Sequence, residues 1–208
     1  MVKSLEYSTN GPSQTKKIGE ILAQEIAKTK LKKVAFIIAL EGELGSGKTT
    51  FLQGFARGLR IKEKILSPTF IIMRRFKIRR KSCQFANFYH IDCYRIGKPK
   101  EILDLGFKEI VSNPENIVAI EWADRIKNFL PKNALVLKFK FITRAVAKSK
   151  RRASFPLSLT ERGKAERRSR RDLYLFASRG ESSVAEEENL SSSPNKLKRE
   201  IVVKSKND

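Results

Sequence analysis

The run Val34-Ala35-Phe36-Ile37-Ile38-Ala39-Leu40 leads through Glu41 into Gly42-Glu43-Leu44-Gly45-Ser46-Gly47-Lys48-Thr49. The apolar run is short and rich in β-forming residues, which fits a strand covered on both faces in the middle of a parallel sheet. The segment Gly42–Thr49 fits the pattern G-x-x-x-x-G-K-T, which between a strand and a helix reads as a phosphate-binding loop. Its glycines let the backbone curl so that successive N–H groups, including those of Gly45, Gly47, Lys48 and Thr49, point at phosphate oxygens, and the start of the next helix adds its positive dipole end. Lys48 is placed to reach β- and γ-phosphates, and the Thr49 hydroxyl to complete the shell of a magnesium ion. The alternative is a flexible glycine turn with an incidental Lys-Thr, and the flanking strand and helix weigh against it.

Working outward, Ser13 can cap a helix over residues 13–29, where Ile18, Ile21, Leu22 and Ile26 form one apolar stripe. A second helix is predicted from Lys48 to about Arg57, ending near Gly58. Residues 69–78 and 84–91, rich in Phe, Ile and Tyr and separated by Arg79-Arg80-Lys81-Ser82, predict an antiparallel hairpin flanking the parallel strands. Next come a short helix from Pro99 to Leu105, a loop through Gly106 and Pro114, and a buried strand Ile117-Val118-Ala119-Ile120. A helix near Asp124 to Phe129 and a strand from Ala134 to Ile142 complete the pattern. The expected fold is α/β: a P-loop NTPase-like sheet, mostly parallel with an antiparallel hairpin, and helices on both faces.

The 208 residues suffice for one such domain, residues 1–144, plus an extension, residues 145–208. The extension carries basic clusters at Lys148–Arg152 and Arg162–Arg171, an acidic run at Glu186–Glu188 and serines at 191–193. Its composition predicts a largely disordered basic segment with helix at 160–177. The formal net charge of +22 attracts nucleic acid or an acidic surface without saying which, and a generally basic proteome or mere solubility explains it equally. No apolar stretch long enough to span a membrane and no signal-peptide core is visible. Cys83 and Cys93 form neither a Cys-x-x-Cys pair nor part of a ligand set, so zinc and a disulfide framework are not expected and a reducing cytoplasm fits.

Other residues carry possible chemistry. Glu121 follows the run Ile117–Ile120, where a neighbouring strand of a P-loop fold brings an acid beside the phosphates to hold magnesium or orient water; a strand-end Glu that merely caps or solvates is the lesser alternative. In His90-Ile91-Asp92-Cys93-Tyr94-Arg95, alternation sends His90, Asp92 and Tyr94 to one face. His90 suits a buried hydrogen-bonded role better than that of a general base. Asp92 suits water positioning or magnesium contact, and equally stabilisation of a loop. Ser67-Pro68-Thr69-Phe70 is a rigid turn that could carry Thr69 toward a γ-phosphate, although a turn with a satisfied Thr is the default. The basic stretch Arg74-Arg75, Lys77 and Arg79-Arg80-Lys81 could follow an RNA backbone or simply protect an edge strand.

Taken in order, T-x-x-I-G at Thr15–Gly19, G-E-L-G-S-G-K-T-T at Gly42–Thr50, S-P-T-F at Ser67–Phe70, H-x-D-x-Y-R at His90–Arg95 and Glu121-Trp122 resemble the TsaE family. The resemblance covers residues 13 to about 131. It implies an ATPase of the machinery that makes threonylcarbamoyladenosine next to the tRNA anticodon, joining the TsaB and TsaD proteins, with TsaD performing the transfer. ATP and Mg2+ are the cofactors it implies. The nucleotide would contact Thr15, Gly42, Glu43, Leu44, Gly45, Ser46, Gly47, Lys48, Thr49 and Thr50, with Thr15 toward the adenine and Trp122 beside the site. Thr49 and Glu121 would hold the metal, and Lys48, Asp92 and Glu121 would serve catalysis. For Trp122, a core aromatic is an equally good reading. Two departures stand out. The family finishes with an arginine-containing hairpin of which Arg144 is only a possible remnant, and residues 145–208 match nothing in its pattern.

Two other function classes compete. A small-molecule kinase uses the same loop but needs an acceptor pocket and a lid with arginines, and no lid segment is visible. An RNA-binding module without catalysis would explain the charge, yet it leaves the Asp92 and Glu121 motifs without a purpose.

Overall fold

The computed structural model describes residues 5–79, 83–142 and 198–205. Among these residues seven strands form a single sheet: β1 (Leu5–Thr9), β2 (Phe36–Gly42), β3 (Met73–Lys77), β4 (Asn87–Asp92), β5 (Asn116–Glu121), β6 (Leu135–Ile142) and β7 (Lys198–Ser205), in the order β1-β7-β6-β2-β5-β4-β3. The central β6, β2, β5 and β4 are parallel, while β3 pairs antiparallel with β4, and β7 runs antiparallel between β6 and β1. The predicted class therefore holds, with the Val34–Leu40 run supplying the central strand.

The central part of the sheet is parallel, and its strands β2 and β5 are apolar on both faces and covered on both. Ile38, Leu40, Ile117 and Ala119 face one core with Leu22, Ile26, Phe51 and Phe55 of α1 (Pro12–Ile26) and α2 (Lys48–Gly58). Ile37, Ala39, Val118 and Ile120 face a second core with Ile102 of α3 (Glu101–Asp104), Phe107 of α4 (Phe107–Ser112) and Ile126 of the 3-10 turn Ala123–Phe129. A fully buried Ile, Leu or Phe contributes roughly 1.5–3 kcal/mol, so these two layers hold the sheet between them. Helices α1 and α2 approach at backbone distance: a Cβ on Gly54 would lie 1.9 Å from the Lys16 carbonyl oxygen. That contact fixes the direction of α2, and with it the loop at its start.

Three elements differ from the sequence reading. The expected loop through Gly106 contains α4, because Gly106 takes a left-handed conformation (φ 73°) that caps the helix while Phe107 anchors it in the core. Strand β1 has no counterpart in the sequence reading. Residues 198–205 belong to the sheet, where Ile201 is fully buried, so the expectation that everything beyond residue 144 stands apart is corrected for this segment. The predicted helix at 160–177 lies outside the described residues. Among the described residues no helix is long and apolar enough to cross a membrane.

Candidate nucleotide site

The parallel strands place their C-terminal ends together, as doubly wound sheets do, and ligands of such sheets bind beyond those ends. Asp92 and Glu121 are register partners at the ends of β4 and β5, and Leu40, two residues before the glycine loop, is the partner of Glu121 on its other side. Positive φ at Gly42, Gly45 and Gly47 (135°, 75° and 104°) turns the chain from β2 into α2, with Gly47 as the helix N-cap.

Lys48 folds over this loop. Its ammonium donates to the carbonyls of Gly42 and Glu43 (2.6 and 2.8 Å) and to Ser46 Oγ (3.4 Å), and it lies 4.2 Å from the centre of the Trp122 ring. Burial lowers its pKa from 10.5; the charges of Glu121, Asp92 and Asp124 oppose the shift without cancelling it. Thr49 Oγ1 lies 2.9 Å from each carboxylate oxygen of Glu121, and His90 Nε2 lies 2.8 Å from Glu121 Oε1. Since a carboxylate only accepts, Nε2 of His90 carries the proton it donates. Asp92 Oδ2 accepts from the hydroxyls of Ser67 and of Thr69, the latter at 2.5 Å, and Oδ1 accepts from the Tyr94 N–H at 2.9 Å.

A cleft of about 430 Å³ is lined by Leu44, Gly45, Gly47, Lys48, Thr49, Thr50, Ser67, Thr69, Asp92, Tyr94, Glu121 and Trp122. The structure thus gathers most of the residues named from sequence. Gly42, Glu43, Ser46 and Thr15 do not line the cleft. Gly42 and Glu43 supply carbonyls to Lys48, and Ser46 is buried beneath it. Thr15 is buried behind the loop, with its Oγ1 3.0 Å from Thr9 Oγ1. Trp122 adopts a left-handed backbone (φ 56°), and its ring lies against Lys48 and Tyr94 while also packing on the second core, so the site and core readings both describe it. His90 is fully buried and serves Glu121, which is the hydrogen-bonded role expected of it. Sequence reasoning misses Ser67 as a partner of Asp92; its place in Ser67-Pro68-Thr69 is the available signal.

The donor set fits a magnesium–polyphosphate ligand. A threonine hydroxyl and a carboxylate are hard oxygen ligands of the kind that share magnesium with phosphates, and a buried ammonium satisfied only by neutral carbonyls and a hydroxyl is a ready partner for an anion.

A central strand feeding a glycine-rich loop and helix, with acids closing two neighbouring strands, defines the P-loop NTPase architecture. Residues 9–152 match the family described as "Threonylcarbamoyl adenosine biosynthesis protein TsaE". The chain belongs to the TsaE family. It is 34% identical over 139 residues, covering 67% of this chain and 79% of the relative, to the tRNA threonylcarbamoyladenosine biosynthesis protein TsaE of Bacillus subtilis. It is 32% identical over 137 residues, 65% of this chain and 86% of the relative, to the protein of the same name from Rickettsia prowazekii. The crystal structure of Bacillus subtilis YdiB shares the fold with a TM-score of 0.54 at 24% identity, covering 99% of this chain and 87% of that one.

Proposed function

We propose that this chain binds ATP with Mg2+ on the Gly42–Thr50 loop and hydrolyses it slowly, driving or resetting a tRNA threonylcarbamoyladenosine modification complex that contains TsaB and TsaD. The observation that carries the reading is the contact of the Thr49 hydroxyl with both oxygens of Glu121, beside the Lys48 ammonium and at the mouth of the glycine loop. Family membership supports the pathway, and the geometry supports the chemistry.

In this reading Lys48 exchanges the Gly42 and Glu43 carbonyls for phosphate oxygens, trading neutral acceptors for anionic ones. Thr49 and Glu121 hold the metal, which when bound neutralises charge on the phosphoryl oxygens. His90 fixes the orientation of the Glu121 carboxylate through Nε2. Asp92, next to Glu121 in register, orients the attacking water, and through the Ser67 and Thr69 hydroxyls it links that position to an exposed loop. Order and disorder of such a loop is how P-loop proteins convert the state of the γ-phosphate into altered partner affinity.

The test is phosphate release by the full chain with purified TsaB and TsaD, wild type against Lys48→Ala, Asp92→Ala and Glu121→Ala. Each substitution is expected to lower the rate at least about tenfold. Equal release by all four proteins, or stoichiometric ATP consumption only when a small metabolite is added, would remove this reading.

A further inference from the structure

Strand β3 closes the sheet at the end opposite β1, and among the described residues only β4 pairs with it. Hydrogen bonds at its two ends fix which way its peptide groups point. The Asp92 N–H donates to the Ile72 carbonyl (2.8 Å), and the Ile78 N–H donates to the Ala86 carbonyl (2.9 Å). Antiparallel pairing alternates along a strand, so between these ends Arg74 and Phe76 turn their peptide groups toward β4, whereas Arg75 and Lys77 turn theirs outward.

The side chains along this edge are cationic. Arg74, Arg75, Lys77 and Arg79 are exposed, and none of them forms an ion pair among the described residues. Strand β4 places His90, Tyr89 and Asn87 opposite Arg74, Arg75 and Lys77, so no carboxylate faces them across the ladder. The Arg74 guanidinium rests on a neutral group, 4.9 Å from the centre of the Phe76 ring. The apolar side chains of the strand are used inside: Phe76 is buried in the first core and Met73 packs against the second.

Three uses of such an edge make different demands. Protection against edge-to-edge pairing is met by isolated charges, above all lysine, and leaves three arginines unexplained. The centre of a protein–protein interface is poor in charge, and from Met73 to Lys77 the strand exposes no apolar side chain. A phosphate backbone asks for what is present: repeated cations, guanidinium forks and outward main-chain N–H groups. Cations two residues apart on one face stand about 7 Å from each other, a spacing comparable with that of successive phosphates along a strand. The outward carbonyls of Arg75 and Lys77 accept from ribose 2′-hydroxyls, which single out RNA.

We propose that the β3 edge is an RNA-binding surface that follows the phosphate backbone of tRNA, with Arg74, Arg75 and Lys77 each meeting a phosphate. The family's pathway, which acts on tRNA, names the RNA. Nothing in the proposal uses the glycine loop, so it stands or falls separately from the ATP-binding reading.

The experiment measures binding of a fluorescently labelled, unmodified tRNA transcript to the full chain by anisotropy over a series of salt concentrations, without nucleotide. Wild type is compared with the combined variant Arg74→Gln, Arg75→Gln, Lys77→Gln. A control, Lys127→Gln, Lys132→Gln, Lys140→Gln, removes the same charge from exposed positions at and near β6, across the sheet. Each phosphate contact contributes about 0.7–0.9 to the slope of log affinity against log salt, so the β3 variant is expected to lower that slope by about two and affinity at least about tenfold at 150 mM salt. The control should stay within about threefold of wild type. Equal losses in both variants overturn the proposal, because they would report net charge instead of a site. So does a β3 variant that keeps tRNA affinity while losing association with purified TsaB and TsaD, which would make the edge a contact for an acidic protein surface. Wild type that binds no tRNA overturns it as well. Thermal unfolding of each variant checks the fold; should the β3 variant fail to fold, Arg75→Gln decides alone, with a slope lower by about one expected and an unchanged slope overturning the proposal.

Discussion

Replacing Lys48 by methionine separates what the ammonium does for the ligand from what it does for the fold. The stem length is kept, the charge is lost, and the carbonyls of Gly42 and Glu43 lose donors at 2.6 and 2.8 Å. Hydrogen bonds to charged groups contribute about 1.5–3 kcal/mol each, so losing two to phosphate oxygens is expected to cost about 3 kcal/mol or more, over a hundredfold in Mg·ATP affinity by calorimetry. Folding stability is expected to move by less than about 2 kcal/mol, because the lost neutral-acceptor bonds are offset by relief of the desolvated charge. That relief has a pH signature. Burial lowers the Lys48 pKa below 10.5, so between the folded value and 10.5 the unfolded chain holds a proton that the folded chain has released, and wild-type stability rises with pH relative to Lys48→Met. Urea unfolding of both proteins from pH 8 to about 10.5 measures this as a difference, which cancels the other titrating lysines. A stability gap that stays flat across that range refutes the desolvation argument. A folded Lys48→Met with unchanged ATP affinity refutes the assignment of the site.

Gly54→Ala puts a Cβ 1.9 Å from the Lys16 carbonyl oxygen in the packed interface of α1 and α2; a loss of about 2 kcal/mol or more, some 5 °C in melting temperature, is expected by thermal unfolding. Burial pushes the Cys93 thiol up to about 12, so at pH 8 only about one molecule in ten thousand carries the thiolate. An aromatic disulfide reagent should therefore label Cys83, which is half-buried, and reach fully buried Cys93 only on unfolding. Asp92→Ala releases the Ser67 and Thr69 hydroxyls beside Phe70, which is 84% exposed, and should raise the rate of chymotryptic cleavage at Phe70 about tenfold without a matching fall in global stability.

The elements that carry the loop are legible because several local signals coincide in them. The Val34–Leu40 run is apolar throughout, the glycine loop follows after Glu41, and α2 begins at the motif lysine, so β2, the loop and α2 can be read without tertiary information. The elements that escape such reading depend on contacts distant in sequence. Strand β7 pairs with β6 across residues 143–197, and its one local signal, the β-branched run Ile201-Val202-Val203, sits in a polar, basic stretch that reads as an extension. Helix α4 is masked by Gly106 and Pro114, which act as breakers in sequence but as boundaries in the fold. Within the site, the acids are legible as strand-end residues, whereas the pairing of Glu121 with Thr49 and His90 depends on strand register and α2 placement, which composition does not encode.

The hydrogen-bonding pattern also constrains how such a site can respond to a ligand. Lys48 is satisfied by loop carbonyls, Glu121 by Thr49 and His90, and Asp92 by Ser67, Thr69 and the Tyr94 amide. A phosphate or metal that engages these groups exchanges bonds instead of adding them, so its net gain is the difference between the bonds made to it and the bonds given up. The exchanges are also linked in space. Glu121 and Asp92 are neighbours in register, so drawing Glu121 toward a metal changes the field at Asp92, and any change in Asp92 is felt by the turn that holds Leu66, Phe70 and Ile71 exposed. Partner affinity that depends on the nucleotide therefore needs no distant relay: in the proposed reaction Asp92, the register neighbour of the metal-side Glu121, bonds directly to the segment that presents apolar surface.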